Sequence, residues 1–149
     1  TKMKIVGEGP DRIRLQGVIE ECEMTELISR PGFSFTPNEE IKHADIYIQP
    51  SFSEGFGISV VEAMMIGLPV IGSKVGGLQS IIEGGKTGRF MDPHAPVDDL
   101  VNLVEEILAK PENELLGVCQ KAQSSAIERF NPLKYISRLE EFYKTVYDK

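Results

Sequence analysis

The sequence predicts an α/β domain in which helices flank a parallel β-sheet. Short, nearly continuous apolar segments recur in the first two thirds of the chain and alternate with segments of helical spacing. That alternation is typical of parallel sheets, whose strands are buried on both faces. The last third shows helical spacing alone. A length of 149 residues fits one domain, so residues 1–149 are assigned to a single domain.

Five short segments are predicted to be strands. Each is a run of apolar and β-branched residues that a glycine, a proline or a polar turn brings to an end. In chain order they are residues 3–6, 27–29, 45–49, 69–72 and 88–91.

Three helices are predicted between these strands. The first spans about residues 11–24, with an apolar side formed by Ile13, Val18, Ile19 and Cys22. The second begins at residues 37–40, and Asn38 is expected to cap it. The third starts near Ser59, carries Glu62 in its first turn and stops near Gly67.

Three further helices are predicted in the last third of the chain. Their apolar residues recur every three or four positions, which predicts that each has a core face or a docking face. These residues are Val97, Leu100, Val101, Val104, Ile107 and Leu108, then Leu115, Leu116, Cys119, Ala122, Ala126 and Phe130, and finally Leu133, Ile136, Leu139, Phe142, Tyr143 and Val146.

Composition argues against several classes of partner and bears on the cysteines and the location of the protein. The formal charge of −7 argues against nucleic acid or an anionic membrane as the main partner, so an anionic ligand needs a local positive site. Cys22 and Cys119 lack metal-type spacing and are predicted to be buried free thiols in a reducing compartment. No apolar run is long enough to span a membrane and no secretory signal opens the chain, which predicts a cytoplasmic location.

The segment from Ser53 to Met64 carries the strongest functional signal. Glu54 and Glu62 lie eight residues apart, and the Gly-x-Gly turn of Gly55 and Gly57 follows the first of them. Glycines let a ligand approach the backbone, and the helix that follows offers free N–H groups to phosphate. Carboxylates accept hydrogen bonds from sugar hydroxyls. The segment leaves a strand at its carboxyl end, where α/β sheets bind ligands, and therefore suits a phosphorylated sugar.

Simpler interpretations of both carboxylates remain open at this point. Ser59 and Glu62 match the capping box Ser-x-x-Glu, in which Glu62 would only stabilise its own helix. Glu54 would then be a solvated loop residue beside two glycines.

A wider series of motifs resembles the C-terminal domain of retaining GT-B glycosyltransferases, specifically the large glycosyltransferase family 4 group. The resemblance runs from about residue 3 to residue 142. It rests on residues 44–51 (ADIYIQPS), 54–57 (EGFG), 62–64 (EAM), 67–71 (GLPVI), 76–77 (GG), Gly84 and 87–88 (TG). The family's E-x7-E signature corresponds to Glu54 and Glu62. The implied fold is a Rossmann-like parallel sheet, one half of a two-domain enzyme.

The resemblance also implies roles for individual residues. Glu54 matches the catalytic residue that contacts the donor sugar, and Glu62 matches the residue that holds the ribose of the nucleotide. The backbone that meets the sugar and diphosphate matches Gly55, Phe56, Gly57, Ile58 and Ser59. The family's usual pattern implies no metal. It implies no cofactor either, because the nucleotide-sugar is a substrate.

Two of the transferred roles have alternatives. Gly32 and Phe33 occupy the place that passes near the nucleotide base, although Phe33 equally fits a core aromatic. Gly76 and Gly77 fit either a tight turn or a phosphate loop.

The chain departs from the family pattern at its start. Family members begin with one more strand, which carries an Arg and then a Lys that bind the diphosphate, whereas residues 2–10 match the second strand. We therefore expect a piece of a longer enzyme with an opened sheet, whose strand edges are covered by self-association or by the rest of the parent. We also expect weak or no transferase activity from this chain alone.

The complete enzyme would move a sugar from a UDP-, GDP- or ADP-linked donor to a saccharide or lipid-linked acceptor. A separate N-terminal domain would bind the acceptor. The enzyme would work in the cytoplasm or at the cytoplasmic face of a membrane. The alternative is a non-catalytic nucleotide-sugar-binding module. Within enzymes, a synthase of the sucrose or glycogen type is the runner-up.

Overall fold

Strands and helices alternate in the computed structural model, which describes residues 1–147, and three helices follow the last strand. The elements are β1 Met3–Val6, α1 Arg12–Glu21, β2 Ile28–Gly32, α2 Pro37–Ile41, β3 Tyr47–Gln49, α3 Ile58–Ile66, β4 Val70–Ser73, α4 Leu78–Ile81, β5 Arg89–Met91, α5 Val97–Leu108, α6 Glu112–Phe130 and α7 Pro132–Tyr147. All five predicted strands are confirmed, whereas the one-turn helix α4 was not predicted. The elements fall into two compact units, one spanning Thr1–His43 and one from Ala44 onward.

The first unit is a βαβ arrangement. Strands β1 and β2 pair in parallel, with Met3 opposite Ile28 and an irregularity between Lys4 and Val6. The connecting helix α1 buries only Ile19. The other residues of its predicted apolar side, Ile13, Val18 and Cys22, are exposed, so that part of the prediction is wrong. Spacing predicted the helix correctly, but burial depends on what packs against it, and here only Ile19 is covered.

The start of α2 also differs from the prediction. The cap position belongs to Thr36, and Asn38 lies inside the helix as its second residue. Pro37 occupies the first helical position, where its fixed φ and missing N–H are tolerated, so the helix begins earlier than an Asn38 cap requires.

The second unit contains a three-stranded parallel sheet in the order β3-β4-β5. Tyr47 lies opposite Val70 and Gln49 opposite Gly72, while Gly72 in turn faces Phe90. The five strands thus form two separate hydrogen-bonded sheets. Every described strand pair is parallel and helices flank the sheets, which confirms the α/β class and its parallel character.

Helix α3 forms the centre of the second unit's core. It packs against β3, β4 and α6, and the Gln123 side chain of α6 donates to the Met65 carbonyl over 2.8 Å. Val60, Ala63 and Met64 are fully buried. Burial of one such large apolar side chain stabilises the fold by about 1.5–3 kcal/mol. The helix that carries Glu62 is therefore rigidly held.

The terminal helices only partly follow the prediction of core faces. Helix α5 buries Ile107, and α6 buries Cys119, Ala122 and Ala126. Other members of the predicted stripes are exposed, namely Val97, Val101, Leu108 and Leu116. Helix α7 buries no residue, so its stripe is not a core face. The prediction of two buried thiols is half wrong, because Cys119 is buried but Cys22 is exposed. None of the described helices combines the length and apolarity that a membrane crossing requires.

Candidate functional site

The candidate site lies in the second unit, at the carboxyl end of β3. Because β3 and β4 are parallel, the loops that leave them emerge at the same edge of the sheet. Residues 50–57 connect β3 to α3, and residues 74–77 connect β4 to α4. The two loops touch, since the Gly77 N–H donates to the Glu54 carbonyl over 3.2 Å.

Gly76 and Gly77 allow this close approach. A Cβ at Gly76 would overlap the carbonyl oxygen of Glu54, and a Cβ at Gly77 would lie 2.5 Å from the Gly55 carbonyl oxygen. A side chain at either position would push the two loops apart. The tight turn expected from the sequence is formed and is packed against the loop that carries Glu54, while phosphate binding by these glycines stays a prediction.

Glu54 is a half-buried residue, and its carboxylate lies in a polar cluster. Gln49 Nε2 lies 3.4 Å and Ser51 Oγ 3.5 Å from Glu54 Oε2. The interpretation of Glu54 as a freely solvated loop residue is therefore wrong. Both contacts are long, so the carboxylate keeps most of its capacity to accept further hydrogen bonds.

Glu62 does not form a capping box. Helix α3 begins at Ile58 and its N-cap is Gly57, which adopts a left-handed conformation with φ of 100°. Ser59 thus lies inside the helix, and its hydroxyl points towards Gln49 Oε1 at 3.4 Å. Glu62 is the fifth helical residue and so begins the second turn, whereas the sequence placed it in the first. Gly57 displaces the cap by two residues because glycine adopts positive φ without strain.

Tyr47 connects the two carboxylates electrostatically. Burial raises the pKa of its phenol most, a hydrogen bond with Ser59 opposes that shift, and the charges of Glu62 and Glu54 raise the pKa further. Both carboxylates are therefore close enough to act on one phenol. Ser59 and Glu62 are the second and fifth residues of α3, and Glu54 lies in the loop that leads into that helix.

The amino-terminal end of α3 offers free hydrogen-bond donors. Within residues 1–147, the backbone N–H groups of Ile58 and Ser59 have no intramolecular acceptor, whereas those of Val60 and Val61 bond to the Gly57 carbonyl. Unpaired N–H groups and the helix dipole favour an anion at this position.

Phe56 joins the same loop to the end of α6. Its ring meets that of Phe130, at the end of α6, in an edge-to-face contact with centroids 5.5 Å apart. Such contacts contribute about 0.5–1.5 kcal/mol beyond the buried area. Phe56 is 44% exposed and Ser51 is half-buried, so both residues remain partly accessible.

Gly32 and Phe33, the residues predicted to pass near a base, belong to the first unit. Gly32 has φ of 86° and lies where any Cβ would meet the Glu8 carboxylate. Phe33 is 65% exposed and makes an edge-to-face contact with Phe35, with centroids 4.9 Å apart. The interpretation of Phe33 as a core aromatic is therefore wrong, and its proximity to a base stays a prediction.

Sequence reasoning missed the residues of β3 that support the site. Tyr47 and Gln49 face the polar cluster, and Ser51 follows in the loop. The available signal was polarity at alternate positions of an otherwise apolar strand, since Tyr47 and Gln49 flank Ile48. In the described part of the chain, no group of three or more His, Cys, Asp or Glu side chains is arranged to hold a metal ion.

Comparison with known proteins gives a consistent family assignment. The family model described as "Glycosyl transferases group 1" matches residues 1–140. A putative colanic acid biosynthesis glycosyltransferase of Salmonella typhimurium is 27% identical over 97% of this chain and 37% of its own length. A D-inositol 3-phosphate glycosyltransferase of Paenarthrobacter aurescens is 35% identical over 65% of this chain and 25% of its own length.

Solved structures agree on the fold. A protein of Anabaena, described as a complex with UDP-glucose, superposes with a TM-score of 0.84 at 22% identity, over 97% of this chain and 41% of that protein. A sucrose-phosphate synthase of Thermosynechococcus elongatus gives a TM-score of 0.83 at 24% identity, over 97% of this chain and 38% of that protein. The chain thus spans well under half the length of these relatives, and its fold is that of one half of a GT-B glycosyltransferase.

Proposed function

Because the chain belongs to the glycosyl transferases group 1 family, we propose that it binds the nucleotide-sugar donor of a retaining glycosyltransferase. The complete enzyme would transfer the sugar to a saccharide or lipid-linked acceptor. The observation that carries the proposal is the arrangement of Glu54 and Glu62 beside the free N–H groups that open α3. Carboxylates recognise hydroxyls and the helix terminus recognises phosphate, and a nucleotide-sugar contains both.

In the proposed donor complex, Glu54 contacts the sugar and Glu62 the ribose. The backbone of residues 55–59 meets the sugar and the diphosphate. Catalysis would come from positioning the donor and from stabilising the departing diphosphate at the α3 terminus. Glu54 would act on the reacting sugar by orienting it or by attacking it, and the half-buried position of the residue supports orientation. Gly32 and Phe33 keep their predicted place near the base.

Donor binding tests this proposal directly. UDP-glucose, GDP-mannose and ADP-glucose would each be titrated into the chain by ligand-observed NMR. We expect one nucleotide to bind. Glu62→Ala should weaken that binding about tenfold or more, since hydrogen bonds to charged groups contribute about 1.5–3 kcal/mol.

Glu105→Ala is the matched control, because Glu105 is exposed on α5. It should leave donor affinity unchanged. A folded wild-type chain that binds none of the three donors would refute the proposal, as would equal losses in the two variants.

We further propose that this chain alone transfers little or no sugar, because it spans only 37% of one relative and 41% of one solved structure that it matches over 97% of its own length. The measurement is transfer of radiolabelled sugar from the preferred donor to saccharide and lipid-linked acceptors. Robust turnover by the chain alone would contradict this part of the proposal.

Self-association through strand edges is the remaining proposal for partners. Strands β1 and β3 each pair with one neighbour, which leaves a row of backbone groups unpaired on the other side among the described residues. Sedimentation velocity at several concentrations would reveal the association. A concentration-independent monomer would contradict it.

A further inference from the structure

Gln49 lies at the centre of the polar cluster beneath the candidate site. It is the last residue of β3, and its side chain is half-buried. The Tyr47 hydroxyl donates to Gln49 Oε1 over 2.8 Å, and Gln49 Nε2 donates to Ser51 Oγ over 2.9 Å. These two short hydrogen bonds fix the side chain between the strand and the loop that follows it.

The same side chain reaches both parts of the site. Gln49 Nε2 lies 3.4 Å from Glu54 Oε2, and Ser59 Oγ lies 3.4 Å from Gln49 Oε1. An amide has one donating end and one accepting end, which suits this arrangement because the Glu54 carboxylate only accepts. Gln49 thereby links the loop carboxylate to the amino-terminal end of α3.

The position of Gln49 is fixed through its backbone as well. Gln49 pairs with Gly72 of β4, and the buried Ser73 hydroxyl lies 3.4 Å from the Gln49 carbonyl oxygen. The amide therefore extends from a hydrogen-bonded strand, whereas Glu54 lies on a loop. The Gln49 amide thus offers Glu54 a contact from a hydrogen-bonded strand.

We propose that Gln49 is a positioning residue that holds the Glu54 carboxylate in its donor-binding orientation. The inference rests on the proposed function, in which Glu54 contacts the donor sugar. Among the residues described, only Gln49 and Ser51 donate to that carboxylate. Both contacts are long, so they orient Glu54 and leave its lone pairs available to sugar hydroxyls.

Two substitutions separate the functions of the amide. Gln49→Glu keeps an acceptor for Tyr47 and Ser59 but replaces the donor to Glu54 by a like charge. Gln49→Met keeps the approximate side-chain length and removes both the donor and the acceptor of the amide. Gln120→Glu adds the same charge at an exposed position on α6 and serves as the control. Thermal unfolding of each variant confirms that it is folded.

The informative quantity is the affinity for each nucleotide-sugar compared with that for its nucleoside diphosphate. Because Glu54 is assigned to the sugar, Gln49→Glu should weaken binding of UDP-glucose, GDP-mannose or ADP-glucose, whichever binds, about tenfold or more. Affinity for the matching diphosphate should change less than about threefold. Gln49→Met should also weaken nucleotide-sugar binding more than diphosphate binding. Gln120→Glu should leave both affinities unchanged. In a Glu54→Gln background, the effect of Gln49→Glu should largely disappear.

Equal losses for the nucleotide-sugar and the diphosphate, or no loss in either Gln49 variant, would overturn the inference and leave the proposed function intact. A wild-type chain that binds no donor would overturn the proposed function and the donor role of Gln49 with it. The contact itself has a donor-free readout, because Glu54→Ala should shift the side-chain amide NMR signals of Gln49. Unchanged signals would overturn the inference whatever the donor does.

Discussion

The backbone N–H of Gly77 donates to the carbonyl oxygen of Glu54 over 3.2 Å, and this bond joins the loop after β4 to the loop after β3. The position of Glu54 thus depends on a residue 23 positions later in the chain. The geometry of the candidate site therefore depends on a contact between two loops that are distant in sequence.

Gly77→Ala should separate the two loops. Its Cβ would lie 2.5 Å from both the Gly55 carbonyl oxygen and the Phe56 Cα, and neither backbone group can yield without moving the loop. We expect a loss of about 1–3 kcal/mol in the free energy of unfolding, as for other overpacked sites, and weaker donor binding. Urea denaturation and donor titration measure the two effects.

Gly117→Ala is the matched control for that change and a prediction of its own. Gly117 lies in the middle of α6, and a Cβ there meets no atom within 4 Å. Alanine should stabilise the protein by about 0.5–1 kcal/mol, because glycine loses more backbone entropy in a helix. A destabilised variant in urea denaturation would show that this part of α6 is covered.

Met64→Ala should be strongly destabilising, because Met64 is fully buried in α3. The expected cost is about 2–5 kcal/mol of unfolding free energy, which combines lost burial with a cavity. Ile58→Ala on the same helix should cost less than about 0.5 kcal/mol, since Ile58 is 67% exposed. Similar losses in both variants would contradict the core described for α3.

Tyr47 should make stability depend on pH in the alkaline range. Burial and the nearby charges raise the pKa of its phenol in the folded protein, whereas in the unfolded chain it has the ordinary value of about 10. The folded protein thus keeps a proton that the unfolded chain loses. The contribution of Tyr47 to stability is complete below about pH 10 and is lost as the pH rises through the raised value.

Ultraviolet absorbance of the phenolate gives the measurement. The difference between wild type and Tyr47→Phe should reveal a phenol that ionises above pH 10. Because the charge of Glu62 contributes to the shift, Glu62→Gln should lower the pKa of Tyr47. Tyr135→Phe, which removes an exposed phenol, is the control. A Tyr47 phenol that responds to neither Glu54→Gln nor Glu62→Gln would refute the electrostatic link between the two carboxylates.

The sequence predicted the strands and helices well because their signals are local. Short apolar runs and Gly67 located β3, β4 and the end of α3 within about two residues. The capping box was wrong because Gly57 and Ser59 both fit a helix start, and local chemistry does not decide between them. The structure places Gly57 at the cap with a positive φ, in a position where a Cβ would meet the Leu78 side chain of α4.

The burial of helix faces and the contacts that support the candidate site were less predictable, because both depend on tertiary packing. Helical spacing on α7 marks an apolar face, but spacing does not state what covers that face, and no residue of α7 is buried. Glu54 and Glu62 were found through their spacing along the chain. The support that Gln49 and Gly77 give to Glu54 was not predicted, although Gly77 was expected in a turn, because each contact forms only after β3 and β4 have paired.

The two carboxylates differ in how they are anchored, and this difference has an evolutionary consequence. Glu62 belongs to a helix whose neighbouring residues fill the core, so its position is hard to change without losing the fold. Glu54 lies on a loop, where Gln49 contacts its carboxylate and Gly77 donates to its backbone carbonyl. In the proposed donor complex, substitutions around that loop would alter which sugar is accepted while the nucleotide anchor persists. Under that proposal, a few changes around the loop would diversify the sugar that a relative accepts, while the contact between Glu62 and the nucleotide is kept.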